Sequence, residues 1–278
     1  MSWSTDGVLI FSLSTLAFLS DFGLKDPYVG IVKAVMLGIN PALQIVDISH
    51  QIAPQNVMEG SFVLGSAFRE FPIGTTFLNV VDPGVGSQRI GLLAVTEHYT
   101  FLAPDNGLLS MVFPYSPKVT CFSIENSQYF RHPVSNTFHG RDIFAPVAAH
   151  LTRGVAPHSF GPSCRSPVRF QWPEPIVKDQ YIEGEVIYID GFGNLVLNVS
   201  ADLLRHRRPI RKQFRINIKG MELSLLNTYS DVARGETAAL IGSYGYLEVA
   251  VNQGSAAEIL AARVGEPVVI RKVPAPKQ

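Results

Sequence analysis

The chain has 278 residues, 46% apolar and 17% charged, which is long for one domain and enough to bury the cores of two. Its acids and bases balance to a formal net charge of zero, with no long run of Lys or Arg. That argues against nucleic acid as the main partner, because phosphate binding draws on a positive field.

The first apolar stretch, VLIFSLSTLAFLS (Val8 to Ser20), has no cationic segment before it and no small-x-small cleavage site after it. It is too short to span a bilayer, and no later segment approaches that length. Its second half, LAFLS, reads as a buried first strand that turns at SDFG. YVGIVKAVMLGIN carries apolar residues at helical spacing and stops at Asn40-Pro41. LQIVDIS predicts the next strand, and NVMEGSFVLGSAFREF a helix with Glu59 and Arg69 facing water. TTFLNVVD, IGLLAVTE and YTFLAPDNG predict three further strands. FHGRDIFAPVAAHLTRG opens on a polar cluster and continues as a helix to Gly154. Alternation of this kind implies an α/β domain with a mostly parallel central sheet. Ligands of such sheets gather at the carboxyl ends of strands, where Asp21, Asp47, Asp82 and Asp105 stand.

Composition shifts near Ser166. SPVRFQWPEPIVKDQ is proline-rich and has no helical period, so residues 166–178 read as a linker between an α/β domain (1–165) and a smaller domain (179–278). YIEGEVIYIDGFGNLVLNVS predicts a hairpin turning around Gly191 and Gly193. FRINIKG, ELSLLN, TAALIGSYGYLEVAVNQ and EPVVIRK continue as short strands, which predicts an all-β, barrel-like domain. The two cysteines, Cys121 and Cys164, fit no metal or redox spacing and read as reduced thiols of a cytoplasmic protein.

Four constellations carry chemistry. In SDFGLKD, Asp21 stands at a strand end, where a carboxylate can accept both hydroxyls of a ribose or simply cap the following helix. DPGVGSQR lacks the Gly-Lys-Ser/Thr of a P-loop and does not complete G-x-G-x-x-G. A tight turn accounts for Pro83, Gly84 and Gly86, and the two glycines also leave room for a ligand to approach the main chain. Asp82 is left as a turn-former, a metal ligand or half of a catalytic pair with Arg89. TFHGRDIFAP gathers His139, Arg141 and Asp142 where a helix begins. His50, after another strand, could join His139 and the acids as metal ligands, but no H-x-x-x-H or H-E-x-x-H spacing exists, so no metal is expected. In IDGFGN and GSYGYLEVAVNQG, aromatics, amides and glycines meet in turns, as they do in ordinary turns and around a flat ring.

Taken in order, SDFGLKDPYVG, DISHQIAP, FPIGTTFLNVVDPGVGSQR, APDNGLL, FHGRDIFAPVAAH, IDGFGN and SYGYLEVAVNQG resemble the SAM hydroxide adenosyltransferases, also called SAM hydrolases (adenosine-forming), relatives of the bacterial fluorinase and chlorinase. The match runs from about Leu16 to Ile270. The resemblance implies that S-adenosyl-L-methionine (SAM) is split by water at the ribose 5′ carbon into adenosine and L-methionine, with SAM as substrate and no cofactor. It implies an Asp-Arg-His triad at Asp82, Arg89 and His139, where the fluorinase carries tyrosines in place of the acid and the imidazole. Asp21 is then expected on the ribose hydroxyls, with Phe138 and Gly140 on the pocket floor. Phe192 and Tyr229 are expected to sandwich the adenine, and Asp190 and Asn194 to hold the amino-acid end. Ser243, Asn252 and the backbone near Gln253 are expected to touch the ligand as well. Gln55 and Tyr244 depart from the fluorinase, which has tryptophan and arginine there. The resemblance also implies a homotrimer whose sites lie between the α/β domain of one subunit and the β domain of its neighbour. A halide-using enzyme and a non-catalytic SAM or adenosine sensor are the competing readings.

Overall fold

A computed structural model describes residues 14–206 and 214–272, together with the backbone of Ser2–Trp3 and Leu9–Ile10. The rest of the apolar stretch before Ser14 lies outside the described residues. The chain divides into two compact units, Met1–Gln171 and Trp172–Gln278.

The first unit is built on a six-stranded sheet. Its strands are β1 (Thr15–Ser20), β2 (Gln44–Ser49), β3 (Thr76–Val80), β4 (Gly91–Val95), β5 (Thr100–Pro104) and β6 (Thr120–Ile124), in the order β2-β1-β3-β5-β4-β6. Only β4 runs against the others, so the sheet is mostly parallel, as the alternation of elements predicts. Helices α1 (Tyr28–Ile39), α2 (Val57–Ala67) and α3 (Ala145–Thr152) cover it. Side chains of a strand alternate between faces. Leu16 and Phe18 of β1 therefore join one core with Val32 and Met36 of α1 and Val147 of α3, while Ala17 and Leu19 join a second core with Leu64 of α2. Leu16 through Ser20 are fully buried, as expected for a parallel strand covered on both faces. The short strand β6 is not among the elements the sequence reading delimits, and it carries no sustained alternation.

Two features of this unit position the site. Strands β1 and β3 are parallel neighbours with Ser20 opposite Val80, so the loops that begin at Asp21 and Val81 leave the sheet side by side. The helix predicted over 138–154 opens as a π-helical turn, Gly140–Phe144, with His139 as its N-cap, before α3 begins. Pro146 has no N–H to give the Asp142 carbonyl, which accepts from Arg131 N–H at 2.8 Å instead.

The second unit is antiparallel. Its strands are β7 (Ile176–Val177), β8 (Tyr181–Ile189), β9 (Leu195–Ser200), β10 (Phe214–Ile218), β11 (Met221–Ser224), β12 (Thr237–Ile241), β13 (Tyr246–Val251) and β14 (Pro267–Lys272). They run in the order β11-β10-β14-β8-β9-β13-β12, with β7 on β8. Strand β8 pairs with β14 through its first half and with β9 through its second, with an irregularity between Val186 and Tyr188 that lets it turn a corner. A parallel bridge from Leu225 to Ala239 brings the two ends of the sheet together, giving the barrel-like form expected. Ile182, Val186, Leu197, Ile216, Val249 and Ile270 fill its interior. Two short helices, α4 (Ala201–His206) and α5 (Ala256–Ile259), interrupt the β pattern. The second has a legible start in Ser255, whose side chain accepts from Glu258 N–H. Among the described residues no helix is long and apolar enough to cross a membrane.

Helix α2 lies unusually close to the segment after β5. Ser61 Oγ accepts from Met111 N–H, and a Cβ on Gly65 would come within 2.5 Å of Met111 Cβ. Alanine at a helix interior gains up to ~1 kcal/mol over glycine in propensity, but overpacking costs roughly 1–3 kcal/mol. Gly65→Ala should therefore lower the stability measured by denaturant unfolding, against the propensity trend.

Candidate active site

The first unit carries a cleft of about 300 Å³ at the carboxyl ends of β1 and β3, lined by Asp21, Gln55, Asp82, Phe138, His139 and Gly140 among others. Asp82 is the acceptor at its centre. Arg89 donates from Nε to Asp82 Oδ1 at 2.9 Å and from Nη2 to Oδ2 at 2.5 Å. This two-point fork fixes the carboxylate in direction. The same Nη2 lies 2.9 Å from His139 Nδ1. A guanidinium has no acceptor to offer, so Nδ1 must be the unprotonated nitrogen and the imidazole proton sits on Nε2. Burial, and then the Arg89 charge, hold the His139 pKa below the usual imidazole value, against the opposing pull of Asp82 and Asp142. His139 is thus neutral near pH 7 and presents an N–H edge.

The DPGVGSQR turn makes this meeting possible. Its hydrogen bonds are internal, from Val85 N–H to the Asp82 carbonyl and from Ser87 Oγ to the Gly84 carbonyl. Gly86 has φ +78°, and a Cβ there would stand 2.4 Å from the Asn136 carbonyl oxygen. The room left at Gly86 is filled by the loop that leads to His139. That loop is anchored by Asp142, which is fully buried and accepts from Arg131, Ser135 N–H and Arg141. Burial works to raise the Asp142 pKa, but these hydrogen bonds outweigh it and hold the carboxyl below its usual range.

The rest of the cleft is aromatic on one side. Phe138 meets Tyr28 and Phe22 edge-on, with ring centroids 5.3 and 5.8 Å apart. Asp21 Oδ2 accepts from Gln55 N–H at 2.8 Å, and Gln55 itself adopts a left-handed φ of +67°. Gln55, a departure from the fluorinase, thus touches Asp21 through its backbone. Two of the four acids do not line this cleft. Asp105 is turned to Val168 N–H, and Asp47 lies within β2, where Lys33 and His50 hold it. His50 and His139 have different partners and do not form one cluster.

The second unit carries a cleft of its own, about 460 Å³, lined by Phe192, Asn194, Tyr229, Val251, Gln253 and Gly254. Phe192 is 81% exposed beside it, an unusual setting for so large an apolar ring. Tyr229 donates to Glu248 at 2.7 Å; burial and this bond push its pKa up to about 12. Glu248 is itself buried, which raises its pKa against the hydrogen bond from Tyr229. Glu248 is a site residue absent from the sequence-based expectations, although an acid flanked by Leu247 and Val249 in a buried strand is a readable signal. Asp190 closes the IDGFGN turn, accepting from Phe192 N–H, Asn194 N–H and Asn194 Nδ2, and does not line the cleft. Asn252 is tied to the Val232 carbonyl, and Ser243 and Tyr244 are exposed in the Gly242–Gly245 turn; none of these three lines the cleft either.

The profile of the SAM hydroxide adenosyltransferase N-terminal domain matches residues 16–161, and that of the C-terminal domain matches residues 184–269. The chain belongs to this family. It is 38% identical over 258 residues to an (R)-S-adenosyl-L-methionine hydrolase of Thermus thermophilus, covering 90% of this chain and 97% of that protein. It is 29% identical over 289 residues to a fluorinase of an Actinoplanes species, covering 92% and 97%. The crystal structure of an uncharacterized conserved protein from Thermotoga maritima matches with a TM-score of 0.86 at 38% identity, covering 92% of this chain and 99% of that one.

Gly86→Ala tests the geometry at the turn. A side chain at positive φ, set against a backbone carbonyl, should lower the melting temperature. If the turn and the loop part, His139 moves away from Arg89, and its pKa, followed by NMR titration of the ring, should rise toward the usual imidazole value.

Proposed function

We propose that the protein hydrolyses SAM at ribose C5′, releasing adenosine and L-methionine, with Asp82, Arg89 and His139 orienting the attacking water. The observation that carries this reading is the single guanidinium shared between a carboxylate and a neutral imidazole at one cleft, in a chain of this family.

The sulfonium is already a good leaving group, so methionine needs no acid to depart, and water is the weak partner. Moving a proton from free water to an ordinary carboxylate costs roughly 16 kcal/mol, too much for hydroxide to form before displacement begins. Water is instead held in line with the C–S bond. One O–H points at Asp82, one lone pair accepts from His139 Nε2–H, and the other lone pair faces C5′. The proton passes to Asp82 late, as the new C–O bond turns the water oxygen into that of a protonated alcohol and its acidity climbs. Arg89 keeps the carboxylate aimed and keeps His139 in the donor tautomer. Asp21, with Gln55 N–H on one oxygen, retains lone pairs for the ribose hydroxyls.

Phe192 and Tyr229 are assigned to the adenine faces, Asn194 to the amino-acid end, and the backbone near Gln253 to a further contact with the ligand. In this reading the protein is a homotrimer, and the second-unit cleft of one subunit completes the first-unit cleft of its neighbour. Both cysteines are free thiols, which suits a cytoplasmic setting. The Thermus relative is named for the (R) sulfonium epimer, and on that likeness we assign the same epimer to this chain. A halide nucleophile is disfavoured by Asp82, which repels an anion at the place where water is held.

Incubating the protein with separated (R)- and (S)-SAM, with and without a chelator, should give adenosine from the (R) epimer faster in both cases. A halogenated nucleoside as product would remove the hydrolase reading. Asp82→Ala and His139→Ala should each slow adenosine release by ~100-fold or more, the scale of acid–base groups, while adenosine affinity stays within about tenfold by calorimetry. The rate of the native protein should also fall with decreasing pH. His139 is required neutral and its pKa is lowered, so the loss should fall below the usual imidazole range and be absent near pH 7.

A further inference from the structure

Behind the first-unit cleft lies a second polar relay that the mechanism does not use. Ser20 Oγ is 2.7 Å from His50 Nδ1, and His50 Nε2 is 3.1 Å from Asp47 Oδ1, off the line of a full hydrogen bond. Asp47 Oδ2 in turn accepts from Lys33 of α1 at 2.6 Å. The order Ser-His-Asp invites comparison with a nucleophilic triad. Ser20, however, is fully buried and His50 is 3% exposed, so neither can meet a substrate. The imidazole proton belongs on Nε2, since a lone pair there would face the Asp47 carboxylate. Nε2–H faces the carboxylate, Nδ1 accepts from the Ser20 hydroxyl, and Ser20 Oγ accepts from Phe22 N–H at 3.4 Å. Burial first of all keeps the imidazole neutral, with Asp47 pulling the other way.

What the relay does follows from where it holds the chain. His50 bonds Ser20 through its side chain and accepts from Gly23 N–H at 2.7 Å through its own carbonyl. It therefore grips the β1 loop on both sides of Asp21. Phe18 packs against the imidazole with ring centroids 4.6 Å apart and fixes its plane. We infer that His50, oriented by Asp47 and acting through Ser20 and Gly23, is the positioning residue that holds Asp21 in the direction required by vicinal ribose hydroxyls, and so sets the discrimination for a ribose over a deoxyribose. The inference rests on the adenosyl reading of the cleft. It adds a residue that touches no ligand yet governs sugar recognition.

The test compares the affinities of the full-length protein for adenosine and for 2′,3′-dideoxyadenosine. The native protein should prefer adenosine. His50→Ala and Ser20→Ala should weaken adenosine binding by about tenfold, the scale of one misdirected hydrogen bond, and leave the dideoxy compound unchanged, so the preference collapses. His50→Asn places an amide oxygen near the position of Nδ1 and should restore most of the preference. If His50→Ala fails to fold, Ser20→Ala carries the same prediction with a smaller change in volume. An equal loss for both nucleosides would mark the relay as merely structural and overturn the inference. So would a preference that survives in the variants. A native protein that binds adenosine without preferring it to the dideoxy compound would instead overturn the role of Asp21, and the inference with it.

Discussion

One guanidinium holds the first-unit cleft together. Arg89 donates two hydrogen bonds to Asp82 and one to His139, from a side chain that can only donate. Its charge adds to burial in keeping His139 neutral, and its rigid fork leaves neither partner free to rotate. Breaking so well buried a charge pair costs far more than forming it gains, so the arrangement is stable only as a set. A carboxylate fixed in direction and an imidazole fixed in tautomer are what a neutral water needs, since water brings no charge by which a site could steer it.

The surrounding fold serves that geometry by ordinary means. Parallel pairing of β1 with β3 places the Asp21 and Asp82 loops side by side. The turn after β3 is tight enough to bring Arg89 back onto Asp82 and narrow enough, at Gly86, to admit the carbonyl of Asn136. Asp142 draws Arg131, Ser135 and Arg141 around itself and thereby fixes the approach to His139. The second unit uses a different device, an exposed aromatic and a tyrosine braced by a buried acid, to build a surface suited to a flat ring.

Much of this was legible in the sequence, and the boundary has physical causes. Long periodic segments such as YVGIVKAVMLGIN and the hairpin around Gly191 and Gly193 announce themselves, because burial acts on every residue of the pattern. Strand β6 and helix α4 do not, being too short to show a period. Within the site, Asp82, Arg89 and His139 stood out only as polar residues in turns. Asp82 and Arg89 share one turn, but the joining of His139 to them spans 50 residues, which spacing alone cannot supply; the family resemblance supplied it. Asp105 reads like Asp21 along the chain but turns toward Val168, because strand-end position says nothing about side-chain direction. Glu248 carried a local signal in its apolar neighbours, whereas the relay through His50 carried none.

The π-helical turn ahead of α3 bears on how His139 is aimed. At 3.6 residues per turn, each residue advances an α-helix by about 100°. A wide turn therefore works as a one-residue spacer, and removing it would swing the imidazole around the helix axis by about that angle. The direction of this ring is thus written in a count of residues, a property that insertions and deletions can alter and that exchanging side chains leaves in place.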